Sequence, residues 1–174
     1  MSYPKWSVAG ALLASLVACT PTYDWREFDP DGAGLRVSFP CRPDRHARKI
    51  GAGGATTQLE MLVCSAGDAT FAVAFATLSD PSAVAATLGE WRAAALANLG
   101  GATATASPLQ LGGATPNAQA ALLLMRGRRP DGSAVVQRAA FFAKGLRVYQ
   151  ASVIGSELPA EATEIFFAGL KVLP

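Results

Sequence analysis

The chain has 174 residues, of which 51% are hydrophobic and only 16% charged, and its formal net charge is +2. That length suits one domain with a real core rather than two, and that composition excludes a disordered chain. The near-neutral balance gives no reason to expect a nucleic-acid partner, which would need a strong basic excess gathered on one face. The three cysteines, Cys19, Cys41 and Cys64, are an odd number, so at least one has no intramolecular partner.

The first residues, MSYPKWS, carry one lysine besides the terminal amine, and the uninterrupted apolar run VAGALLASLVA follows. This is the charged start and apolar middle of a secretory leader, and the run is shorter than the roughly 20 residues that span a bilayer. Leu16, Val17, Ala18 and Cys19 then resemble the lipobox of bacterial lipoproteins, a branched apolar residue and two permissive positions before a cysteine. The resemblance implies that residues 1–18 are a signal peptide removed in maturation and that Cys19 carries a diacylglyceryl group. Two acyl chains anchor stably, at about 0.8 kcal/mol per buried CH₂. Thr20 stands where an inner-membrane retention signal would have Asp, so the resemblance also implies outer-membrane delivery, with the domain facing the periplasm.

Export leaves Cys41 and Cys64 as an even pair in an oxidising compartment, where a disulfide is the default. Closing a loop of about 24 residues stabilises a fold by roughly 3 kcal/mol in the chain-entropy account. Two free buried thiols and an intermolecular bridge are the alternatives. Two cysteines and a single distant histidine make no zinc set, so neither a metal nor a cofactor is expected.

Residues 19–34 are polar, with Pro and Gly at turn positions, and read as a lipidated tether that first docks through Trp25 and Phe28. Asp29 and Asp31 before Gly32 lack the later ligands of a calcium loop and read as a solvated turn. LRVSFP alternates as a first strand, and a basic loop follows through Gly54. TTQLEMLVCS and ATFAVAFATL read as two strands about a turn at Ala66, Gly67 and Asp68. Leu59, Met61 and Val63 share one face of the first, and Phe71, Val73 and Phe75 one face of the second.

At Asp80-Pro81 the period changes, because Asp caps helices and Pro suits the first helical position. Val84, Leu88, Trp91, Ala95 and Leu99 follow at helical spacing until Gly100-Gly101. TATASPLQLG then reads as an edge strand, since Pro108 cannot donate to a ladder. AQAALLLMRG, apolar on both faces, reads as a central strand. The turn RRPDGS leads to SAVVQRAAFFA and LRVYQASVIG, a hairpin joined at Lys144-Gly145. Pro159 to Leu170 forms the second helix, with Ala162, Ile165, Phe166 and Leu170 on its apolar face.

Three strands, a helix, four strands and a helix argue for an α+β fold: a mostly antiparallel sheet of about six to seven strands packed with two main helices. That order, with a strand ending in FP and a closing helix ending FFAGLKV, resembles the PsbP-like fold over about Leu35 to Pro174. The fold is shared by a photosystem II extrinsic subunit, a Ran-binding import factor and many small bacterial lipoproteins. The expected domain is therefore 35–174, and the resemblance implies a binding or assembly accessory rather than an enzyme. One tension concerns the bridge. If the first two strands paired as a simple hairpin, Cys41 and Cys64 would lie further apart than the roughly 7 Å between Cα atoms that a disulfide spans. The bridge is preferred here, and the hairpin is doubted.

The single histidine, His46, stands among Arg42, Arg45, Arg48 and Lys49, a candidate anion site whose guanidinium forks suit phosphate or carboxylate. A solvated loop explains the same residues. Arg126, Arg128 and Arg129 make a second basic cluster beside a turn, and two clusters on one side of the sheet would favour an anionic surface as partner. There is no GxSxG, HExxH or phosphate loop, and Glu60 and Glu90 have no evident partner. Trp25, Trp91 and Tyr149 read as packing residues. The first expectation is therefore a lipid-anchored envelope protein that meets the membrane through Cys19 and binds an envelope protein or an anionic surface. The alternative is a periplasmic enzyme or small-anion sensor using His46 and the arginines.

Overall fold

The computed structural model describes residues 21–52 and 55–174. The leader 1–18, Cys19 and Thr20 lie outside the described residues. From Tyr23 onward the segment expected as a tether is folded onto the domain. Trp25 packs edge-on against Phe71 with ring centroids 6.1 Å apart, and Phe28 against Phe39 at 6.0 Å. Both expected docking residues therefore dock, and the chain between them goes further, because Arg26–Phe28 forms a strand, β1. The turn after it uses Asp29 to accept two hydrogen bonds from Arg36, at 2.7 and 2.6 Å.

β1 pairs antiparallel with β2, Leu35–Phe39, whose other edge takes β10, Lys171–Val172. This three-stranded sheet is separate from a seven-stranded one, in which β3 (Asp44–Ala52), β4 (Ala55–Ala66), β5 (Ala69–Thr77), β6 (Thr103–Ser107), β7 (Ala121–Arg128), β8 (Ala134–Lys144) and β9 (Arg147–Gly155) run in the order β3-β4-β5-β9-β8-β7-β6. Every pairing in the larger sheet is antiparallel. Helix α1 (Ala83–Asn98) lies between β5 and β6, and α2 (Ala160–Ala168) between β9 and β10.

The fold is thus α+β with two helices, but five strands precede α1 where three were expected. The added β3 is the segment read as a basic loop. It is an edge strand exposed along nearly its whole length, so it has no buried face to impose an apolar alternation on its sequence. The charges it carries blunt an edge that would otherwise pair with another chain. Because β2 belongs to the other sheet, it is no hairpin partner of β4, and the tension over the bridge disappears. Cys41 and Cys64 form a disulfide with Cα atoms 5.9 Å apart.

Each face of the large sheet carries its own layer. On one face α1 packs through Val84, Leu88, Ala95 and the following Leu99 against Leu123, Met125, Phe141 and Val148. The Asp80 carboxylate accepts the Ser82 N–H at 2.8 Å, closing the turn that starts this helix. On the other face the small sheet and α2 bury Phe39, Phe71, Val73, Phe142, Tyr149 and Phe166. Tyr149 and Phe142 stack at 4.7 Å, and the Tyr149 hydroxyl donates to the Ala33 carbonyl at 2.7 Å. Burial pushes the Tyr149 phenol above its ordinary pKa, which keeps it a neutral donor.

This layering corrects two expectations, on β7 and α2, and refines one on β4, where Leu59, Met61 and Val63 share a face as expected. On β4 the deeper burial falls on Leu62, Cys64 and Ala66, whereas of Leu59, Met61 and Val63 only Leu59 is buried. Both sides of that strand are apolar, and α1 covers only the end near Leu59. β7 lies next to the edge rather than in the centre. On α2 the buried side runs through Ala162, Thr163 and Phe166, and Ile165 is exposed.

The end of α1 meets the sheet at Gly127. Arg128 N–H donates to the Leu99 carbonyl at 3.0 Å, and a Cβ on Gly127 would come within 2.1 Å of that same oxygen. Gly127→Ala is expected to lower stability in urea unfolding by about 1–3 kcal/mol, toward the upper end because the obstacle is backbone. Gly51→Ala, which meets nothing within 4 Å, should leave the midpoint unchanged. Equal midpoints for the two variants would refute this account of Gly127.

Candidate functional site

Helix α2 has nine residues, packs on β5 where Phe166 meets Phe71, and reaches β8 only through Arg138. Beyond it the second face of β6, β7 and β8 is left open as a groove of about 650 Å³. Its apolar walls are Leu122, Leu124, Val136 and Leu158. This explains why β7 reads as apolar on both faces: Leu123 and Met125 pack under α1, while Leu122 and Leu124 line the groove half-buried.

Two arginines interrupt that apolar surface. The register sets Arg126 opposite Val136 and Leu124 opposite Arg138, so the arginines are diagonal neighbours on one face. Such positions are about 7–8 Å apart, within reach of long side chains. Arg138 is engaged, pairing with Glu164 and lying 5.0 Å over the Phe167 ring. Arg126 is exposed and has no ion pair with any described residue. At the α2 wall, Thr163 is 3% exposed and its Oγ1 has no hydrogen-bond partner. A buried hydroxyl left this way is costly unless something else satisfies it.

The residues singled out from the sequence are arranged differently. Register along β3 puts His46 and Arg48 on the face of Met61 and Leu59, and Arg45 and Lys49 on the opposite face, beside Glu60 and Gln58. Arg45 forms an ion pair with Glu60, a partner that the sequence did not suggest. Arg42 is exposed in the loop before the strand. The five basic residues therefore do not converge. The hollow beside His46, lined with Arg48, Leu59 and Met61, is about 60 Å³. That is room for a water or two, each of which fills about 30 Å³.

The second basic cluster divides as well. Arg128 donates to the Gly132 carbonyl at 2.9 Å and Arg129 to the Ala134 carbonyl at 3.4 Å, so both serve the turn. Only Arg126 faces the groove. Four strands separate β3 from β7, about 24 Å at the usual spacing, so the two clusters make no common surface. Among the described residues no group of three or more His, Cys, Asp or Glu could hold a metal ion. No helix among them is long and apolar enough to cross a membrane.

Fold and groove together define an α+β domain whose antiparallel sheet lies between a helix on one face and a small sheet with a helix on the other. No family model matches the chain, and no curated protein does. Among solved structures it is similar to a Pseudomonas aeruginosa protein of unknown function, described as a candidate regulator. The identity is 16% and the TM-score 0.36, with 80% of this chain and 87% of that one covered, too slight a likeness to carry an argument.

Proposed function

We propose that this chain is the precursor of an envelope lipoprotein, held in the membrane by lipid on Cys19, and that its domain works by binding a ligand or partner. The observation that carries the reading is the Cys41–Cys64 disulfide behind the apolar leader, because structural disulfides persist in oxidising compartments. The domain is of the PsbP-like kind in this reading, with two helices separated by four strands, and the outer membrane is its destination. Only Thr20, Pro21 and Thr22 separate Cys19 from Tyr23, where packing against the core begins. The four Cα steps from Cys19 to Tyr23 reach at most about 14 Å, so an anchor at Cys19 would hold the domain close to the bilayer surface. In cells fed labelled palmitate, the wild-type chain should carry label and fractionate with the outer membrane, and Cys19→Ala should carry none. Label retained by Cys19→Ala would refute anchorage at that residue.

A further inference from the structure

We infer that β6, one edge of the large sheet, pairs antiparallel with β6 of a second copy of this chain. The large sheet ends in β3 and β6, and each leaves one edge unpaired among the described residues. The two edges are built differently. β3 carries Asp44, Arg45, His46, Arg48 and Lys49, charges that keep a further strand away. β6 reads TATAS, five exposed residues without a charge or a proline, so the side chains that usually blunt an edge are missing. Five residues is an ordinary strand length, and Pro108, which cannot donate to a ladder, ends the pairing there.

The side chains decide the partner. Thr103, Thr105 and Ser107 stand on the face of Arg126, Leu124 and Leu122, while Ala104 and Ala106 stand on the face of Met125 and Leu123. A twofold axis at Thr105 sets this residue against its own counterpart, Thr103 against the partner's Ser107, and Ala104 against the partner's Ala106. Hydroxyl then meets hydroxyl, a favourable cross-strand pair, and alanine meets alanine, which obstructs nothing. A slip of one residue would set hydroxyl against methyl, so the register is specified. One strand supplies both halves of the match, as an isologous contact requires. A formal net charge of +2 adds little repulsion between copies. The axis stands perpendicular to the sheet, so both small sheets, and both Tyr23 segments packed with them, lie on one side of the pair. Two anchors at Cys19 would therefore reach one bilayer. A five-residue edge buries less than the roughly 1,200 Å² at the low end of stable interfaces, so the pair is weak and concentration-dependent.

The test uses the full chain carrying Cys19→Ala, so that each added cysteine is the one free thiol beside the Cys41–Cys64 bridge. Thr105→Cys, oxidised with copper phenanthroline at rising protein concentration, should give a disulfide-linked dimer on a non-reducing gel. Thr103→Cys should give about tenfold less, because the two copies of that position lie four residues apart along the paired strands, about 13 Å. Mixing Thr103→Cys with Ser107→Cys chains should restore the yield, since the register sets those positions opposite each other. Ala47→Cys, exposed on β3, should crosslink as poorly as Thr103→Cys. In sedimentation, Thr105→Lys places like charges directly opposite and should raise the dimer dissociation constant about tenfold or more. Because Thr105 is exposed, that variant should melt with its parent. The test chain has no anchor, so its result stands whatever palmitate labelling shows. Absence of the Thr105→Cys dimer, equal yields at Thr105, Thr103 and Ala47, or a dimer indifferent to Thr105→Lys would overturn the inference.

Discussion

Replacing Phe166 by alanine lowers the stability of the domain by about 3–5 kcal/mol, the range for emptying a buried aromatic site. Phe166 is fully buried, and its ring meets those of Phe39 at 5.7 Å, Phe71 at 5.5 Å and Phe167 at 5.4 Å. Phe39 comes from the small sheet and Phe71 from the large one, so this one side chain of α2 joins the helix to both sheets. Edge-to-face pairs add about 0.5–1.5 kcal/mol beyond the area they bury, and the variant loses three of them. At about 2–4 °C per kcal/mol for a chain of this size, the melting temperature should fall by roughly 6–20 °C. Phe167→Ala is the control: half-buried beneath Arg138, it should cost only about 1 kcal/mol. A Phe166→Ala melting curve within 2 °C or so of the wild type would contradict the packing described here.

How far these features could be read from the sequence depends on whether a residue faces one environment along its element. Both helices and most strands of the larger sheet follow from period and punctuation, because a strand such as β5 buries Phe71, Val73 and Phe75 on one side. β3 could not be read in that way, since water lies on both of its faces. The basic cluster consequently looked like one patch, although pairing turns alternate residues to opposite sides of the sheet. β2 carries a strand signal, but its membership of a separate sheet depends on partners at both ends of the chain, Arg26–Phe28 and Lys171–Val172.

The groove had a signal that local pattern alone does not interpret. Arg126 and Arg138 each interrupt an otherwise apolar strand, one at the end of ALLLMRGR and the other within AVVQRAAFFA. An arginine inside a core strand implies that its face opens to water somewhere. Only the register shows that the two openings are the same one. Thr163 and Glu164 were invisible for a related reason: a helix of nine residues leaves its face undetermined within one step, and the choice of Ile165 instead of Thr163 turned the groove wall away.

Removing the disulfide has the second large effect. Cys41 follows the end of β2 and Cys64 sits in β4, opposite Phe71, so the bridge ties the small-sheet layer to the large sheet. The sequence separation of 23 makes the closed loop worth about 3 kcal/mol in the unfolded-chain account. The double variant Cys41→Ala/Cys64→Ala should therefore unfold about 3 kcal/mol more easily and melt roughly 6–12 °C lower. Alanine is the right replacement because Cys64 is 4% exposed, and serine there would add a buried hydroxyl penalty unrelated to the bridge. Wild-type protein measured in reductant should approach the double variant, whereas the variant itself should not respond to reductant. Chain kept under reducing conditions should resemble the reduced form, so the bridge makes stability depend on the redox state of the surroundings. If wild type, reduced wild type and double variant melt together, the bridge contributes nothing, and the strongest support for an exported protein falls with it.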